Sequence, residues 1–206
     1  MAETLTMKKL QEQIDFLKEE VANLKSLGKN TRIVPDGLKI GDTFELAGLD
    51  WKILDITENG YMCLAEKLED DMKFDSSCNN WQASDLRNWL NVDFFKKLAE
   101  VLGEENIIPF ERDLISLDGQ TEYGICEDKV SLLTVDEYRK YRKLIPNTDD
   151  YWWWTITPDS TKCNGDSRWV LVVHPSGYIS RGDFYNCGRG VRPVCIFSSS
   201  IFESEE

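Results

Sequence analysis

The sequence predicts an α+β head carried behind an N-terminal coiled-coil helix. Three observations predict this class. A strict 3,4 spacing of apolar residues is confined to the first 28 positions. Short runs of strand-like residues alternate with two helical patterns over 38–198. The hydrophobic fraction of 41% with seven Trp is enough for a packed core in 206 residues.

The N-terminal pattern comes first. Met7, Leu10, Ile14, Leu17, Val21 and Leu24 follow the a/d seam of a coiled coil, and Gly28 supplies a stop. Three heptads make about 35 Å of helix, too short to hold alone but long enough to help attached heads associate. The expectation is self-association through residues 5–27 as a dimer or trimer, with Ile14 and Val21 at a and Leu at d leaning toward two strands. Residues 29–37 read as a linker and 199–206 as an acidic tail.

Charge divides the chain at the same place. Residues 1–30 are neutral, so the whole formal charge of −13 belongs to 31–206. A broad basic face for nucleic acid is therefore not expected. No apolar run reaches the roughly 18 residues of a membrane span, and MAETLTMKKL has no signal-peptide h-region. The expectation is synthesis in the cytoplasm without membrane insertion.

Within the head, strands are predicted at Thr43–Leu46, Trp51–Ile56 and Tyr61–Ala65. Ser84 is placed to cap a helix that breaks near Asn91 and runs to Leu102, where Gly103 closes it. Thr134 and Glu137 form a capping box, Leu133 and Tyr138 a hydrophobic staple, and Pro146 ends that helix. Strands at Trp169–Val173 and Val191–Phe197 flank a Gly-rich polar loop.

The chemistry of known enzyme constellations is missing. There is no G-x-S-x-G elbow and no phosphate-cradling loop. The single histidine, His174, sits at a strand end before a turn. Six cysteines without C-x-x-C spacing predict free thiols rather than a zinc site. Cys63 and Cys126 are expected to be buried, and no cofactor or metal is expected.

Four stretches carry a resemblance: WQASDLRNWLN (81–91), VSLLTVDEYRKY (130–141), Trp152–Trp154 followed by Thr157–Pro158, and GVRPVCIF (190–197). In this order and spacing the chain resembles the C-type-lectin-like variable proteins of diversity-generating retroelements and, more distantly, the formylglycine-generating-enzyme fold. The resemblance covers roughly residues 38–197. It implies a compact head of small antiparallel sheets whose C-terminal segment displays a binding surface; with the enzyme constellations missing, the expectation is a non-enzymatic binding module diversified near its C-terminus. The family's aliphatic–Arg pair after the tryptophans is replaced by Thr155 and Ile156, and the Trp-Asn-Asp triplet of calcium-dependent lectins is absent. Trp81, Arg87, Trp89, Trp153 and Arg192 are read as scaffold, with Asp85 a candidate partner for Arg192.

Adenine-directed diversification of AAC or AAT codons reaches fifteen amino acids but never Lys, Glu, Gln, Met or Trp. None of the chain's 41 Lys, Glu, Gln and Met residues falls in the 34-residue window 163–196. The strand- and glycine-rich character of the window accounts for part of this deficit. Residues 155–197 also carry five basic and three acidic groups on an otherwise acidic head. The expected ligand-binding set is Thr155, Ile156, Asn164, Asp166, Arg168, His174, Tyr178, Ser180, Arg181, Asp183, Tyr185, Asn186, Cys187 and Arg189, meeting a protein or glycan on a target cell surface. Of these, Arg168, His174, Tyr178, Arg181, Asp183, Tyr185, Asn186 and Arg189 are expected to be exposed and replaceable at about 0.5 kcal/mol or less. Tyr185 and Arg181 are expected as binding anchors. A phage or prophage receptor-binding part fits these features, as virions assemble in the cytoplasm. The alternatives are an interaction protein with a fixed surface and an oxidase using Cys187 and Cys195.

Overall fold

In the computed structural model the chain divides into two units, 1–33 and 34–206. The structure describes residues 34–35, 37–66, 68 and 72–202, and in the first unit residues 9, 11 and 13–18. Residues 13–18 are helical, and the seam residues Ile14 and Leu17 are 40% and 57% exposed there. The rest of the expected a/d seam lies outside the described residues.

The second unit is α+β, with three antiparallel sheets and three short helices among the described residues. The largest sheet contains β1 (Thr43–Leu46), β2 (Leu49–Thr57), β3 (Gly60–Ala65), β4 (Ile107–Ile108) and β10 (Val194–Phe197), in the order β1-β2-β3-β10-β4. The last strand is thus inserted between β3 and β4, which come far earlier in the chain. Val194–Phe197 is wholly buried. The second sheet is a hairpin of β5 (Phe110–Asp113) and β6 (Ile125–Asp128), and the third is β7 (Trp153–Pro158), β8 (Trp169–Val173) and β9 (Ile179–Asp183) in that order.

The helices follow their predicted signals. Ser84 caps α1 (Asp85–Trp89), its side chain accepting from the Arg87 N–H at 3.1 Å. A π-helical stretch, Leu90–Phe94, joins α1 to α2 (Phe95–Leu102), which stops at Gly103. Asn91 sits in that stretch. Its amide donates to the Arg87 and Val130 carbonyls (3.1 and 2.7 Å), and its oxygen accepts from the backbone of Lys129 and Val130. The predicted break is therefore a bulge in which a side chain competes with the helical ladder. The capping box forms at α3 (Val135–Tyr141), and Glu137 also holds Arg112 through two bonds of 2.7 and 2.6 Å. The helix ends at Tyr141, one turn before Pro146.

The core is aromatic. Trp51, Trp81, Trp153, Trp154, Phe74 and Phe197 are fully buried. Three indole N–H groups are satisfied there: Trp51 donates to Leu46 O (3.1 Å), Trp154 to Met72 O (2.9 Å) and Trp81 to Asp128 (2.8 Å). Asp128 also takes Arg87 Nε at 2.6 Å, so two scaffold residues meet one buried carboxylate. Trp89 is half-buried and stacks on Phe94.

Arg192 is buried but not paired with Asp85, which accepts from Ser76 instead. Its Nε donates to Ala65 O at 3.2 Å and its guanidinium lies 5.2 Å from the Trp153 ring centroid. A ring face and a carbonyl thus replace the expected carboxylate. Two strand predictions also shift. The final strand begins at Val194 rather than Val191, because Pro193 has no N–H to give the ladder. The expected polar loop contains β9, whose Gly182 fits against Trp154 and Val172 where a Cβ would come within 2.9 Å of both. No helix among the described residues is long and apolar enough to cross a membrane.

All six cysteines are free, with Cys63, Cys126 and Cys195 buried, Cys78 intermediate, and Cys163 and Cys187 exposed. Cys63 and Cys195 face each other across β3 and β10. Burial pushes both thiols far above their ordinary range and raises Cys126 to about 11. A hydrogen bond to Glu122 also raises Cys163. In native protein near neutral pH, a thiol reagent should therefore modify Cys187 first and Cys163 more slowly, leaving Cys63, Cys126 and Cys195 untouched until unfolding. Peptide mapping after timed labelling checks this order.

Candidate functional site

The candidate surface is built on the β8–β9 hairpin. Five consecutive pairs, from Trp169↔Asp183 to Val173↔Ile179, fix its register. Its turn closes through His174 N–H to Tyr178 O (2.8 Å) and Gly177 N–H to His174 O (2.7 Å). The Tyr138 hydroxyl of α3 donates to Gly177 O at 2.7 Å, holding the turn from behind. The segment after β9 then returns along β7. Gly190 N–H donates to Trp152 O at 2.6 Å, and Trp154 N–H to Gly190 O at 3.2 Å.

This framework gathers one cluster at the turn end of the hairpin. His174 stacks on Tyr178 with centroids 4.2 Å apart and planes 16° from parallel. Trp152 meets His174 edge-to-face at 4.3 Å and Tyr178 at 5.9 Å. The Arg189 guanidinium lies 5.0 Å from the Trp152 ring centroid. The Ser176 backbone N–H donates to His174 Nδ1 at 3.0 Å, so the neutral ring carries its proton on Nε2. Tyr178 is 52% exposed, and its hydroxyl has no hydrogen-bond partner among the described residues. Trp152 was absent from the expected set. A tryptophan beside two core tryptophans gives no sequence sign that it is only partly buried.

The opposite end of the hairpin holds a different arrangement. Arg168 Nε forms an ion pair with Asp183, and Arg168 Nη2 donates to the Tyr185 hydroxyl at 3.0 Å. The same guanidinium sits over the rings of Trp169 and Tyr185. Asp183 is only 3% exposed and is thereby removed from the exposed set. It is the buried counter-ion that holds Arg168, whose own pKa the pair raises further. Asp166 accepts the Arg168 N–H at 2.9 Å and so shapes the loop.

Arg181, in the middle of β9, lies 2.8 Å from Asp159 Oδ1 in an ion pair. Burial pushes the Asp159 carboxyl up against the opposing pull of Arg181. Asn164 donates to Asp118 at 2.9 Å, beside Ser160 at 2.7 Å, and a bond from Ser116 leads the set that holds Asp118 down to about 2. Ser180 is half-buried opposite Val172, while Tyr185 and Cys187 are exposed and Asn186 half-exposed in the loop after β9.

Two further expectations are corrected. Thr155 and Ile156 are wholly buried. They lie in an irregular stretch of β7 between Trp154 and Pro158, where Thr155 Oγ1 donates to Leu171 O at 2.7 Å and Ile156 N–H to Leu133 O. They hold the sheet to the segment before α3 and meet no ligand. Cys195 is wholly buried while Cys187 is exposed, so the two thiols proposed for an oxidase share no accessible surface. Among the described residues, no group of three or more His, Cys, Asp or Glu side chains is placed to hold a metal ion.

No protein-family model, curated protein or solved structure matches the chain. The site therefore rests on its own geometry, and that geometry separates residues of equal exposure by what they hold. Arg168→Ala leaves a buried carboxylate without its cation and should lower the urea midpoint by more than its exposure suggests. Adding Asp183→Asn should recover part of that loss. Tyr178→Ala should stay within about 0.5 kcal/mol of wild type.

Proposed function

We propose that residues 38–198 form a non-enzymatic, C-type-lectin-like binding head. On this reading its C-terminal segment is the diversified surface of a retroelement variable protein of phage or prophage origin. The observation that carries this reading is the Trp152–His174–Tyr178–Arg189 cluster. It combines rigid aromatic area with an Arg189 guanidinium and a Tyr178 hydroxyl that have no hydrogen-bond partner among the described residues, on a hairpin fixed from behind. The 163–196 window supports it further. Lys, Glu, Gln and Met are absent from it, and within a few residues it passes from buried positions such as 170–173 to exposed ones such as Tyr178, Tyr185 and Cys187. The exposed Ile14 and Leu17 favour display on a dimeric or trimeric coiled coil.

The burial pattern makes the reading sharper than a general expectation of variability. In gene sequences from several isolates, substitutions should concentrate at Tyr178, Tyr185, Asn186, Cys187 and Arg189. Arg168 and Arg181 should vary less, each being tied to a buried carboxylate. Val172, Asp183 and Val194 should stay fixed. A reverse transcriptase gene beside a near-copy of this coding stretch should accompany the locus. Substitutions spread evenly along 38–198 would favour an interaction protein with a fixed surface.

A further inference from the structure

Three arginines reach this surface, and two of them are already neutralised. Arg168 is paired with Asp183 and Arg181 with Asp159. Arg189 has neither an ion pair nor a hydrogen bond among the described residues, and its Nε is buried without an acceptor. Its guanidinium lies over the indole of Trp152, and half-burial lowers its pKa. On a chain of net charge −13, an arginine left unpaired beside abundant carboxylates is a position where a ligand's charge can be accommodated.

The neighbours define what else that ligand offers. Through Trp152, Arg189 joins His174, whose Nε2–H is a free donor, and Tyr178, whose hydroxyl is unpartnered. The cluster thus holds three polar heads that donate, set among half-exposed rings. A planar fork suits a carboxylate, single donors suit hydroxyl and ring oxygens, and ring faces suit the C–H face of a pyranose. The overall negative charge opposes a polyanion, so one carboxylate per binding unit fits better than a sulfated or phosphorylated chain.

We propose that the Trp152–His174–Tyr178–Arg189 cluster recognises the terminal, carboxylate-bearing sugar of a surface glycan, with Arg189 as the carboxylate anchor. This rests on the ligand-binding reading above and names the ligand class for it.

The test uses the full chain on an array of immobilised oligosaccharides ending in uronic or nonulosonic acids, each beside its neutral counterpart. Binding should be confined to acid-terminated members. Arg189→Gln should weaken it about tenfold or more, Arg189→Lys should restore part of it, and the melting temperature of both should match wild type. Equal binding to neutral counterparts, or no binding to any member, would overturn the assignment. Binding lost in Tyr185→Ala but kept in Arg189→Gln would overturn the anchor and leave the display reading standing. An even spread of substitutions among isolates would instead remove the display reading, whatever the array shows.

Discussion

The surface depends on one backbone connection, the pair of hydrogen bonds between Gly190 and the Trp152–Trp154 segment. The loop that leaves β9 is tied at its start, where Phe184 O accepts from Phe74 and Asp75 and Asn186 N–H reaches Asp183 O, but Cys187 and Gly188 beyond are exposed. At Gly190 the loop is bound on both sides of one residue, at 2.6 and 3.2 Å. That fixes Arg189 over the indole of Trp152 and delivers Val191 to the core. The residue must be glycine, because a Cβ there would stand 2.5 Å from the Tyr151 ring. A bridge of two bonds thus converts a mobile-looking polar stretch into a fixed presentation.

Behind the bridge, the same segment supplies the scaffold. β10 occupies the middle of the five-stranded sheet, bonded to β3 and β4, with Ser131 bridged to Val194. β8 lies between β7 and β9 with Val170, Leu171, Val172 and Val173 all buried. Truncating such residues removes tightly packed methyl groups and costs several times what a loop side chain costs. Exposed and buried positions therefore alternate within a few residues, and the two classes serve different ends. Arg168 and Arg181 fall between them: exposed themselves, they compensate Asp183 and Asp159, which are not.

Much of this was legible in the sequence where local physics decides. The cap at Ser84, the box at Thr134 and Glu137, and the bounds of β1 and β8 follow from side-chain hydrogen bonds and apolar runs. What was not legible depends on distant partners. β9 (ISRGD) has a single large apolar residue and pairs through its backbone alone, so no periodicity announces it. Asp183 looks like any loop acid until the hairpin places it beneath Arg168. Thr155 and Ile156 appeared accessible because they follow a motif, yet the irregular β7 pairing turns both inward. Trp152 was the opposite case, a partly buried aromatic residue that packs against the core yet also meets His174, Tyr178 and Arg189.

Native-state hydrogen exchange at the Gly190 amide, read residue by residue by NMR, tests this account most directly. If the bridge anchors the loop, that amide exchanges as slowly as those of Val194 and Ile196 in β10. The amides of Cys187 and Gly188, a few residues away, exchange quickly. Exchange at Gly190 as fast as at Gly188 would show the loop to be untethered and Arg189 free of Trp152, contradicting the account.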